Sequence, residues 1–143
     1  MGSYFEIDEK ETNSKAISML LVDIIKKLRK FNYCKKYFKL KEDKDGENYW
    51  KISKNGIATL LEYFIEYSWD FGGTWRDYVI EKNKDTLEYK LKIKNFSEDE
   101  IEKEIEKYEK SMDENVQWII VYLSRILCNM TLDKKKIVYG RWV

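Results

Sequence analysis

Between Val116 and Met130, apolar side chains fall on nearly every face of a helix: Val116, Trp118, Ile119, Ile120, Val121, Leu123, Ile126 and Leu127 leave only short polar gaps. In a chain surrounded by water, such a helix has to be enclosed by other elements. The segment therefore dictates a layered fold with itself at the centre. A chain of 143 residues is long enough for one such core and too short for two. The expectation is a single globular domain over 1–143, with 1–12 as a flexible N-terminus.

The surrounding elements follow from periodicity. Ser14 or Asn13 caps a helix in which Ile17, Leu20, Leu21, Ile24, Leu28 and Phe31 recur at helical spacing, with Lys26, Lys27, Arg29 and Lys30 in its last turns. Lys35 to Lys41 and Tyr49 to Ser53 flank Asp43-Lys44-Asp45-Gly46, whose Asp-Gly pair tolerates positive φ, which predicts a β-hairpin. Asn55-Gly56 breaks the pattern. Ile57, Leu60, Leu61, Phe64 and Ile65 then mark a second amphipathic helix that Gly72-Gly73 stops.

Thr74 with Asp77 favours a short helix through Tyr78 and Val79, with a strand as the alternative over 74–82. Leu87, Tyr89, Leu91 and Ile93 alternate with Glu88, Lys90, Lys92 and Lys94, the period-2 pattern of a half-buried strand. Ser97 with Glu100 forms a capping box that opens a charged helix over 97–114, separate from the apolar one. Ile137 to Val143 reads as a closing strand. The expected class is α+β, a single compact domain of roughly four to five helices packed on a small, mainly antiparallel sheet.

Composition removes whole chemistries. The chain has no histidine, so Ser-His-Asp and Cys-His catalysis, zincin motifs and most catalytic zinc sites are excluded. Its two cysteines, Cys34 and Cys128, are too few for a disulfide framework or a four-thiolate metal site. They suit a reduced, cytoplasmic setting, with Cys34 incidental or structural and Cys128 packed in the core. No run approaches the roughly 18 to 20 apolar residues of a membrane span, so no membrane partner is expected. The absence of proline beside abundant Lys, Ile, Tyr and Asn points to a bacterial or phage source.

Glu88-Tyr89-Lys90, on the alternating segment with Asp77 or Asp85 upstream, resembles the acid-x-lysine core of restriction-type nucleases. That resemblance implies carboxylates holding Mg²⁺ and a lysine assisting the attacking water. The same spacing recurs at Asp8, Glu42 and Asp133, as chance produces in so charged a chain, and the nuclease stays a remote alternative. Glu47 to Leu61 resembles the wing-to-helix passage of winged-helix regulators, without room upstream for the two further helices with which such domains read DNA. No catalytic residue, metal ligand or cofactor is assigned.

Charge nearly cancels overall, at +1, yet it is segregated. Between Lys26 and Lys54 eleven basic residues face only Glu42, Asp43, Asp45 and Glu47, whereas from Ser97 to Glu114 nine acids face Lys103, Lys107 and Lys110. Such polarity steers charged partners. Two functions are consistent with it. The first is a non-enzymatic protein-binding factor, an inhibitor or immunity-type protein that acts on a larger protein partner through Tyr63, Tyr67, Trp69 and Trp75, aromatics of the kind that dominate binding hot spots. The alternative is a nucleic-acid-binding or regulatory module in which Lys35, Lys36, Lys39 and Lys41 contact phosphates while Tyr49 and Trp50 stack. The bland counterpart is an edge strand guarded by lysine. Oligomeric state is not legible in the sequence.

Overall fold

The computed structural model describes residues 4–66 and 75–143. In chain order its elements are β1 (Phe5–Ile7), β2 (Lys10–Glu11), α1 (Lys15–Leu28), α2 (Asn32–Lys35), β3 (Phe38–Glu42), β4 (Asn48–Ser53), α3 (Lys54–Glu66), α4 (Trp75–Lys82), α5 (Lys84–Lys92), α6 (Glu98–Leu132) and β5 (Ile137–Trp142). The strands form one antiparallel sheet in the order β2-β1-β5-β4-β3, with the helices packed against one of its faces. The α+β class is therefore as expected, and the closing strand turns out to be central, paired on one side with β1 and on the other with β4.

Side-chain alternation gives the sheet two unlike faces. Phe5, Ile7, Phe38, Trp50, Ile52 and Val138 point inward and are buried. Gly140 lies on the same face opposite Ile7 and Trp50, where a Cβ would stand 2.7 Å from Phe5 Cζ, so only glycine lets the Phe5 ring lie across the strand. The hairpin forms as expected. Asp43 Oδ1 accepts from the amides of Asp45 (2.9 Å) and Glu47 (3.0 Å), and Gly46 takes φ +80.

Residues 1–12, expected to be flexible, contain β1 and β2. Two buried hydroxyls hold them. The Phe5 amide donates to Ser18 Oγ on α1 (2.9 Å), and the Ile7 amide donates to Tyr122 Oη on α6 (2.9 Å), which in turn donates to the Lys10 carbonyl. Burial raises the Tyr122 phenol above its ordinary pKa, so it remains a donor.

Several readings of the pattern need correction. The charged helix 97–114 and the apolar helix 116–130 are one element, α6, of 35 residues, about 50 Å long. With no glycine or proline between them, the change in pattern at Glu114 marks a change of surroundings within a continuous helix. Its first half is bridged to α4 by Arg76 and to α5 by Lys90, and its second half supplies Val116, Ile119, Leu123, Ile126 and Met130 to the core and Tyr122 to the N-terminal strands. Ser97 does cap it, with the reciprocal Glu100 bond of a capping box. The second half is not enclosed all round, since Val121 is 52% exposed and Cys128, expected in the core, is exposed as well.

The alternating segment 87–93 is helical. Lys84 to Lys92 consists mostly of good helix formers with Thr86 its only β-branched residue. The segment buries Leu87 alone and leaves Tyr89, Leu91 and Ile93 exposed. Over 74–82 the described residues are helical, as α4. Asn55-Gly56 does not precede a helix but lies in the first turn of α3, where Gly56 is packed against Tyr37 and Ile52.

Candidate nucleic-acid interface

The basic stretch converges in space. At the end of α1, Lys26 and Lys27 occupy the last turn and Arg29 the C-cap, where cations are favoured by the exposed carbonyls of the helix terminus. One turn of α2 then carries Lys35, with Lys36 at its C-cap, and the chain enters β3 with Lys39 and Lys41. Lys35 and Lys36 thus belong to α2 and the turn after it, not to the hairpin as the sequence suggested.

Two adjoining depressions result. One of about 490 Å³ is lined by Arg29, Asn32, Lys35, Lys36, Phe38, Lys39, Leu40 and Lys41. The other, of about 440 Å³, is lined by Lys26, Arg29, Lys30, Lys35 and Trp50. Arg29 and Lys35 border both, and among the described residues no acid borders either. The four lysines expected to contact phosphate therefore do come together, along with Arg29, Lys26 and Lys30, which lay within the basic stretch but had not been singled out.

Arg29 connects this corner to the core. Its guanidinium sits 5.5 Å from the centroid of the Trp50 ring, and Trp50 is buried on the inner face of the sheet. Trp50 therefore supports a cation and is not available as a stacking surface, a correction to its expected role. Tyr49, its neighbour in sequence, points to the opposite face. There Arg141 lies 5.4 Å from its ring centroid and Tyr139 packs edge-on at 5.8 Å.

Lysine protection of an open edge explains some of these charges, because β3 is the edge strand. It does not explain Arg29, Lys35 or Lys36, which lie off the strand. Among the described residues none of Arg29, Lys35, Lys36, Lys39 and Lys41 is held in an ion pair, whereas the cations elsewhere that meet acids are well paired: Arg76 forks onto Glu102 and Glu109 at 2.7 Å each, and Lys90 reaches Glu104 at 2.6 Å.

Those pairs also reduce the acidic half of α6 as a charged surface, since Glu102, Glu104 and Glu109 are each engaged by a cation from α4 or α5. The aromatic anchors fare differently from expectation. Tyr63 is 2% exposed and Trp75 6% exposed, with Trp75 stacked on Phe64 at 5.6 Å, so both belong to the core and not to a docking surface. Tyr67 and Trp69 lie outside the described residues.

The nuclease-like Glu88 and Lys90 are two apart on α5, where residues at that spacing do not face one another. Lys90 is occupied by Glu104, and among the described residues no group of acids and cysteines is placed to hold a metal ion. Cys34 is fully buried, and burial raises its thiol pKa, with a hydrogen bond to Tyr33 pulling the other way. No described helix is long and apolar enough to cross a membrane. The chain matches no family model, no curated protein and no solved structure.

Proposed function

We propose that the protein is a non-enzymatic nucleic-acid-binding module whose phosphate contacts are made by Arg29, Lys35, Lys36, Lys39 and Lys41. The observation that carries this reading is the pair of adjoining depressions that share Arg29 and Lys35 and, among the described residues, have no acid on either rim. Unpaired cations held close together repel one another and contribute little to folding. Their gathering on three successive elements is explained by a polyanion that neutralises them and releases its counterions.

The test is retention of labelled oligonucleotides at low salt. Wild-type protein binds and releases them as salt rises. The variant Lys35→Glu, Lys36→Glu, Lys39→Glu, Lys41→Glu, with an unchanged circular-dichroism spectrum, binds far more weakly. A wild type that retains no nucleic acid contradicts the proposal. A second reading, an inhibitor or immunity-type factor docked on a larger protein, is favoured by Tyr89 and Ile93, exposed one turn apart at the end of α5 beside the acidic half of α6. Recovery of a stoichiometric protein partner whose capture depends on Tyr89 and Ile93, and is indifferent to the four lysines, selects that reading instead.

A further inference from the structure

Resting on the reading above, we infer that the ligand is single-stranded, and that its bases stack on the outer face of the sheet while its phosphates follow the open edge of β3. Lys39 and Lys41 belong to both regions: they line the basic depression and also project from β3 onto the outer face. From there the register defines two rows across the strands. Lys41 is opposite Tyr49, whose ring lies 5.4 Å from the Arg141 guanidinium; Lys39 is opposite Lys51, which is opposite Tyr139. Each row thus begins with a cation on the edge strand and ends in a flat group on the central strand. No described helix covers this face, and Tyr139 remains 47% exposed.

A single strand has the matching chemistry. Its phosphates are charged on one side and its unpaired bases offer π-faces on the other, which stack on aromatic rings and on guanidinium planes. Tyr139 offers a ring, and Arg141, whose guanidinium lies 5.4 Å from the Tyr49 ring centroid, offers a guanidinium held over an aromatic support. Tyr49 is accordingly a positioning residue. A duplex has its bases paired and stacked within, so it could use the lysines but not the face.

Acids set the polarity of the track. Glu6, Asp8 and Glu9 border a further depression of about 320 Å³ with Lys135, Tyr139 and Arg141, beyond β5. Lys135 engages Asp8 at 3.2 Å, and Glu6 stands opposite Arg141 in the register. With Asp8 paired, Glu6 and Glu9 still make that side less favourable to phosphate than the basic β3 side, so the backbone runs along β3 with the bases directed toward β5.

Fluorescence polarisation with three probes of equal length tests the idea: an oligothymidylate single strand, a duplex, and a strand of abasic sugar-phosphate. The expected result is that wild type prefers the single strand to both others. Tyr139→Thr, which suits a strand position, combined with Arg141→Thr, weakens single-strand binding by about ten- to hundred-fold and leaves abasic binding unchanged. Tyr139→Phe keeps wild-type affinity. If all three probes bind alike and the double substitution changes nothing, the stacking face is wrong while the phosphate contacts stand. If no probe binds, both are wrong.

Discussion

The two faces of the sheet are built from the same strands, residue by alternate residue, and they answer to different demands. The inner face carries Phe38, Trp50, Ile52 and Val138 against the helices, with a glycine at position 140 where Phe5 leaves no room for a side chain. The outer face carries Lys39, Lys41, Tyr49, Lys51, Tyr139 and Arg141, and no described helix rests on it. Stability constrains the first face tightly. The second is free of that constraint, so its aromatic and basic character calls for an explanation in what it meets.

The contrast can be broken most forcefully from inside. Ile52→Ala, at a fully buried position, should cost about 2–5 kcal/mol by lost burial and the cavity left behind. Urea denaturation measures this, and the remaining folded protein should bind nucleic acid as tightly as wild type. Gly140→Ala should cost about 1–3 kcal/mol, because the new methyl must displace the buried Phe5 ring or the strand. On the outer face, Lys51→Thr should change stability by no more than about 0.5 kcal/mol while weakening oligonucleotide binding. An outer-face change as costly to folding as the inner ones would dissolve the distinction between the faces.

A smaller effect lies away from the sheet. Lys90, bonded to Glu104, holds that carboxyl below its ordinary pKa range. A depressed folded-state pKa contributes stability that is present above the ordinary glutamate value and is lost as pH falls through the depressed one. Lys90→Met should therefore flatten the acid side of the melting-temperature profile and leave nucleic-acid binding untouched. An unchanged acid limb would show that this pair does nothing for the fold.

How legible the molecule is in its sequence depends on whether the pattern is local. Helix α1 with its Ser14 cap, the hairpin with Gly46 at its turn and the Ser97 capping box are all written in consecutive residues, and each forms as read. Segment 87–93 misled because charged residues alternate there by accident. A strand would need a partner, whereas a helix can satisfy its own backbone and set Leu87 and Lys90 against α6. The fusion of two helices into α6 was hidden because a shift from polar to apolar composition resembles a boundary when it marks only entry into the core.

The candidate site divides in the same way. Lys35, Lys36, Lys39 and Lys41 were visible as a run, and the corner where α1 meets α2 folds that run onto Arg29. Tyr139 and Arg141 could not be added from sequence, since their place beside Tyr49 follows from the last strand inserting between β1 and β4. Tyr63 and Trp75 were misjudged for the opposite reason: aromatic excess near a glycine pair gives no indication of how many layers cover it.

The salt dependence of oligonucleotide affinity tests the central claim most directly. Five cations neutralising a single strand predict a straight line of log affinity against log salt with a slope of about −3 to −4, reduced by about 3 in the four-lysine charge reversal. A slope near zero in the wild type, or one equally steep in the variant, would mean that this corner of the molecule does not hold phosphates.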